Sequence, residues 1–132
     1  MNLLLDTHLL LWAADFESDK TTSLTTAALT LIRDTGNTLH FSAASMWEVA
    51  IKKAQGRLDF QTDPHALRRA LLANGYVELP ITSEHAAGVA TLPPIHEDPF
   101  DRLMVAQAIA EGITLLTADA VVAAYDGPIQ RI

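Results

Sequence analysis

Short apolar runs alternate along this chain with longer amphipathic stretches. Asn2-Leu3-Leu4-Leu5 is a continuous apolar run closed by Asp6, the pattern of a strand buried on both faces. Asp6-Thr7 then offers capping chemistry for a short helix over His8 to Ala13, and Asp15 to Lys20 reads as polar loop. From Thr22 to Thr35, Leu24, Ala27, Ala28, Leu31 and Ile32 fall on one helical face, with Gly36 as the stop. Leu39-His40-Phe41 predicts a second buried strand. Ser42 caps a helix over Ala43 to Gln55 that Gly56 ends. Its expected buried face is Ala43, Met46, Trp47, Ala50, Ile51 and Ala54, with Ser45, Glu48, Lys52 and Gln55 on the other side.

Asp63-Pro64 caps a further helix carrying Leu67, Ala70 and Leu71, closed by Asn74-Gly75. Tyr76 to Leu79 predicts a third strand, and Thr82 to Leu92 a helix weakened by Gly88. Pro93-Pro94 breaks the chain before His96-Glu97-Asp98-Pro99-Phe100-Asp101-Arg102. There Asp98 has N-cap chemistry, Pro99 suits the first helical position, and Asp101 falls at the third. The helix that follows, Leu103 to Ala110, is apolar on every side and therefore predicted to be buried. Gly112 stops it, Ile113 to Leu116 predicts a fourth strand, and Val121 to Tyr125 a short helix. Pro128 to Ile132 fits a fifth strand only at an edge, because proline lacks the N–H that a central strand needs. Strands alternating with helices predict an α/β fold with a mainly parallel sheet covered on both faces.

The chain of 132 residues is expected to form one domain, residues 1–132, and its 49% apolar content fits a globular core. It has no cysteine, which excludes disulfides, zinc–thiolate sites and thiol chemistry. The apolar start, Met1 to Trp12, is interrupted by Asp6 and His8 and has no basic leader, so the expected location is the cytoplasm, with no membrane partner. The formal net charge of −7 argues against a sequence-independent nucleic-acid binder. It does not argue against an enzyme that reaches phosphate through a bound divalent cation, which reverses the local sign.

Ligands of open α/β sheets bind at the carboxyl ends of the strands. Asp6 follows the first strand and Asp119 the fourth, and Glu48 lies early in the helix after the second. Asp101 heads an apolar stripe through Met104, Val105 and Ala108. These four carboxylates are expected to meet at one edge. Plainer readings stand beside this one: Asp6 and Asp119 as N-caps, Asp98 and Asp101 as the acids of a helix start, and Glu48 as half of an exposed i,i+4 pair with Lys52. Together, carboxylates in one cleft repel each other and call for a hard divalent cation, Mg2+ or Mn2+. There is no glycine-rich phosphate loop, nucleophile elbow or HExxH-type histidine spacing. His96 is expected to be structural, and Ser42 and Thr117 to be caps or supporting donors.

The ordered blocks Leu3 to His8, Ser42 to Lys52, His96 to Ala108, and Leu115 to Asp119 resemble the PIN-domain ribonucleases, specifically the VapC-like toxins of prokaryotic toxin–antitoxin systems. The resemblance implies a PIN-like three-layer α/β/α sandwich with a five-stranded parallel sheet. It implies a Mg2+- or Mn2+-dependent endoribonuclease with Asp6, Glu48, Asp101 and Asp119 as catalytic residues and metal ligands. Asp98, Thr7, Thr117, Arg102 and Lys52 stand as supporting or phosphate contacts. It further implies an RNA substrate, a homodimer and a cognate antitoxin, for which Trp12, Trp47 and Phe100 are candidate anchors. The competing readings are a catalytically silent PIN-like binding or regulatory module and a Mg2+-dependent acid-pocket phosphatase with Asp6 as nucleophile. That phosphatase chemistry wants a second aspartate where His8 stands. A receiver-like signalling domain would need a lysine after a late strand, where Thr117-Ala118-Asp119 has none.

Overall fold

The structure, a computed structural model, describes residues 1–14 and 23–132. The loop expected at Asp15 to Lys20, and the expected helix start at Thr22, lie outside the described residues. The strands are β1 (Asn2–Leu5), β2 (Thr38–Ser42), β3 (Val77–Leu79), β4 (Thr114–Thr117) and β5 (Ile129–Arg131). They form one sheet in the order β3-β2-β1-β4-β5, with every pairing parallel. The helices are α1 (Thr7–Ala14), α2 (Thr26–Arg33), α3 (Ala43–Ala54), α4 (Pro64–Ala73), α5 (Ser83–Gly88) and α6 (Pro99–Glu111). The expected α/β architecture with a five-stranded parallel sheet is therefore present, and β5 takes the edge that Pro128 requires.

The period-two alternation of β1 divides the core. Leu3 and Leu5 face one layer with Leu9, Leu10, Phe41, Val49, Leu67 and Leu71, drawn from α1, β2, α3 and α4. Leu4 and Leu115 face the other, against Met104, Val105 and Ala108 of α6 and the Val122–Tyr125 segment. As the all-apolar pattern predicts, α6 is buried on several sides, with Phe100 and every residue from Leu103 to Ala108 inside.

Three local expectations change. Helix α2 runs only from Thr26 to Arg33, because the Thr25 hydroxyl accepts the Ala28 N–H (3.1 Å) and Asp34 already leaves helical geometry. The stretch Thr82 to Leu92 divides into α5 and a tighter 3-10 turn, Val89–Thr91, with Gly88 at the junction. The largest change is the face of α3. Ala44, Ser45, Glu48 and Val49 are buried, whereas Trp47 is 56% exposed. The helical period was legible but the inward face was not, because Ser45 and Glu48 find polar partners inside. Among the described residues no buried side-chain nitrogen or oxygen lacks a hydrogen bond, so burying this polar face leaves no unmet donor or acceptor.

Strand order reverses between β1 and β4: from β1 the chain passes outward to β2 and β3, then returns to β4 on the other side. The carboxyl ends of β1 and β4 at this point carry Asp6 and Thr117. A crevice outside this switch point is where an open parallel sheet holds a ligand.

Candidate active site: a carboxylate cleft at the switch point

A cleft of about 180 Å³ opens here, lined by Asp6, Thr7, His8, Glu48, Lys52, Arg57, His96, Asp98, Asp101 and Asp119. A larger cavity of about 340 Å³ lies elsewhere, beside Leu24, Ile32, Leu39 and Tyr76, and among the described residues no carboxylate lines it. The carboxylates singled out in the sequence gather in the smaller cleft.

Asp6 is buried at the end of β1 and has its acceptors engaged. Its Oδ1 takes the Leu9 N–H (3.0 Å), the cap read from Asp6-Thr7, and its Oδ2 takes the Thr117 hydroxyl (2.6 Å). Thr117 Oγ1 in turn accepts the Asp119 N–H (3.0 Å). Burial pushes the Asp6 carboxyl above its ordinary pKa, against the lowering effect of these hydrogen bonds.

Glu48 is 2% exposed, not a solvated surface charge. The Thr7 hydroxyl donates to its Oε1 (2.5 Å), and Lys52 Nζ binds its Oε2. The i,i+4 pair expected with Lys52 exists, but it points into the protein. Lys52 also binds Asp98 Oδ2 (3.0 Å). Its pKa is raised: burial alone would lower it, and the Glu48 and Asp98 carboxylates outweigh that. Asp98 divides its two oxygens. Oδ1 caps α6 by accepting the N–H groups of Phe100 (2.8 Å) and Asp101 (3.3 Å), while Oδ2 faces Lys52. Burial pushes its pKa up, and the Lys52 ammonium more than reverses that. Asp98 therefore caps α6 with one oxygen and lines the cleft beside Lys52.

Among the described residues no lysine or arginine pairs with Asp101. Its pKa is pushed up to about 8 by burial first, then by the negative charges of Asp98, Glu48 and Asp6, with Lys52 opposing weakly. Crowded acids with a buried member raise one another's pKa, and groups perturbed in this way inside a cleft mark a candidate functional site. Asp119 is the most exposed of the acids. Its Oδ1 accepts the Val121 N–H (2.8 Å) and its Oδ2 lies 3.3 Å from His96 Nε2.

His96, expected to be structural, belongs to the cleft. Its Nε2 lies 3.2 Å from Asp101 Oδ2 and its Nδ1 accepts the Asp98 N–H (3.0 Å). A neutral ring with Nδ1 as acceptor carries its proton on Nε2, so His96 donates to the carboxylates. Ligand atoms of His96, Asp101 and Asp119 lie within 4.8 Å of one another, but this proton removes Nε2 as a metal ligand in that tautomer. In that tautomer His96 bridges Asp101 and Asp119, and the carboxylate oxygens are the remaining donors of the group. The sequence signal was its place two residues before the cap, where a ring nitrogen can reach the Asp98 N–H.

Arg102 corrects its expected role as a phosphate contact. Its guanidinium turns away from the cleft, onto Pro93 O (3.0 Å), Val89 O (3.2 Å) and the Tyr125 hydroxyl (3.0 Å). Tyr125 also accepts the His96 N–H (2.9 Å), so Arg102 holds the motif loop in place. Arg57, which sequence reading passed over, does line the cleft. Of the candidate anchors, Phe100 is buried, and Trp47 meets it edge-on with ring centroids 4.9 Å apart.

A family model for the PIN domain matches residues 3–128. The chain belongs to the PIN domain family. Its fold is similar to that of VapBC2 from Rickettsia felis, solved bound to a DNA fragment from their promoter, at a TM-score of 0.66 and 16% identity over 99% of this chain and 98% of that one. It is also similar to Mycobacterium tuberculosis VapC20, described as a Sarcin-Ricin loop cleaving toxin (TM-score 0.62, 13% identity, 93% and 95% covered). DNA-bound VapBC from Salmonella typhimurium matches at 0.61 and 14% identity, over 99% and 98%. A comparison with curated protein sequences finds no match. In this PIN domain, residues 3–128 contain every cleft residue named above.

Proposed function

We propose that this PIN domain, residues 1–132 acting as one unit, is a divalent-metal-dependent endoribonuclease and the toxin of a toxin–antitoxin pair. The observation that carries this reading is the convergence of Asp6, Glu48, Asp98, Asp101 and Asp119 on one cleft, with Asp101 pushed up to about 8 by burial and by the charges of its neighbours. The donors are carboxylate oxygens, with threonine hydroxyls behind them, and such a set fits Mg2+ or Mn2+. Asp6 and Asp101 are the first choice of ligands, with Glu48 and Asp119 completing the set directly or through water. A bound ion of this kind supplies charge stabilisation at phosphate and a more acidic water.

The protein's own residues would do the rest. Thr117 and Thr7 fix Asp6 and Glu48 in single orientations. His96 holds Asp101 and Asp119. Lys52, shared by Glu48 and Asp98, offsets one of their two charges, so that less negative charge faces an entering phosphodiester. The similarity in fold to VapBC structures supports a cognate antitoxin as partner, and a homodimer and a cytoplasmic location follow the same reading. Among the described residues no helix is long and apolar enough to cross a membrane.

The test is incubation of purified, partner-free protein with mixed cellular RNA in Mg2+, Mn2+ or EDTA. Cuts that require metal are expected. Intact RNA under both metals, with no metal binding by calorimetry, would favour the silent binding module.

A further inference from the structure

The end of α3 places a cation at the mouth of the cleft. Gly56 sits at φ 75°, in the left-handed region, where a side chain is strained. Its N–H bonds to Lys53 O (3.0 Å) and the Arg57 N–H to Lys52 O (3.1 Å), the paired closure of a Schellman turn. This turn folds Arg57 back beside the helix, so that it lines the same cleft as Lys52. The guanidinium lies over the Phe60 ring, 5.4 Å from its centroid. Asp59 holds it from behind, with Oδ1 3.3 Å from Nε and Oδ2 3.2 Å from Nη2. The same Asp59 Oδ2 lies 3.3 Å from Nε2 of His8, another cleft residue, whose ring packs edge-on against Phe60. Asp59 itself does not line the cleft.

Arg57 differs from Lys52 in what it is free to do. Lys52 is engaged by Glu48 and Asp98 inside the cleft. Arg57 bonds to none of the cleft acids, and its pairing with Asp59 is half exposed on both sides. Exposed pairs of this kind are weak, so an incoming anion can share the guanidinium at little cost. A planar guanidinium matches a phosphate with two parallel hydrogen bonds. In a chain of net charge −7, a phosphodiester approaching the carboxylates needs such a foothold.

We propose that Arg57, backed by Asp59 and Phe60, is a backbone-phosphate subsite for single-stranded RNA at the mouth of the cleft, gripping a phosphate other than the one cut. This rests on the ribonuclease reading above. The test is fluorescence anisotropy of a short random-sequence RNA labelled with fluorescein, in an Asp101→Asn background that prevents cutting, across a series of salt concentrations. Arg57→Gln is expected to weaken binding about five- to tenfold at low salt and to reduce the slope of log K against log salt by about 0.7, the value for one phosphate on a single strand. Arg57→Lys is expected to keep the slope and recover part of the affinity. Lys53→Gln, exposed at the same helix end but outside the cleft, is expected to change neither. With residue 101 restored, Arg57→Gln is expected to raise KM and leave kcat unchanged.

Wild-type affinity and slope in Arg57→Gln, or an equal loss in Lys53→Gln, would overturn the subsite while leaving the ribonuclease reading in place. A protein with Arg57 intact that neither binds the probe nor cuts RNA would overturn both. Thermal melting of each variant checks that it is folded.

Discussion

Replacing Asp101 by Asn should make the metal-free protein more stable, by an amount that grows with pH. The folded carboxyl holds its proton to about pH 8, against an ordinary value of 3.8. Below pH 3.8 both folded and unfolded chains carry the proton, and the group has no effect. Between the two values the unfolded chain has lost the proton and the folded chain retains it. Folded stability therefore falls as pH rises, by at most about 1.4 kcal/mol per pH unit, and the full cost is reached above pH 8. Summed from 3.8 to 7, the ceiling is about 4 kcal/mol for this one group. Asparagine keeps the shape and an oxygen for the His96 N–H, and it never acquires the charge. Urea unfolding in EDTA at pH 5, 6, 7 and 8 reads the difference directly. The two proteins should approach each other at the acid end and diverge toward pH 8, with Asp101→Asn the more stable. Saturating Mg2+ should raise the wild type and not the variant, because a ligand bound only by the folded state stabilises it. Parallel wild-type and variant curves from pH 5 to 8 would refute the crowding argument.

The other predictions concern the residues around the acids. Lys52→Met leaves Glu48 buried without its cation, so we expect a loss of about 3 kcal/mol in EDTA unfolding, reduced by Mg2+ and largely reversed by adding Glu48→Gln. Thr117→Val removes the hydroxyl that orients Asp6 and accepts from Asp119. Metal affinity by calorimetry should fall about 10- to 100-fold while the secondary structure, by circular dichroism, stays. Arg102→Met should cost about 2 kcal/mol of stability, since it strips bonds from the motif loop, yet leave the salt dependence of RNA binding at the wild-type slope. A reduced slope there would return Arg102 to the phosphate path.

Much of this architecture was legible because its signals are local. Leu3-Leu4-Leu5 and Leu115-Leu116 announce central strands by unbroken apolarity, and Asp98-Pro99 marks the start of α6 to the residue. The topology rule for parallel sheets then brings Asp6 and Asp101 toward one edge. What escaped sequence reading depends on partners far along the chain. The inward face of α3 was misjudged because Met46 and Trp47 outweigh Glu48 on any hydrophobicity count. The donor that makes Glu48 a buried residue is Thr7, 41 positions away. Arg102 was misplaced because its partners are backbone carbonyls, which carry no sequence signature. Arg57 was passed over because its position follows from the Schellman turn at Gly56, which was read only as a helix stop.

The most direct test of the central claim is RNA cleavage by wild type and Asp101→Asn, purified identically and compared in Mg2+, Mn2+ and EDTA. The carboxylate cleft predicts discrete cuts by the wild type in metal, none in EDTA, and none by a variant whose melting curve shows it folded. Equal cutting by the two proteins would contradict the claim that these acids carry the chemistry.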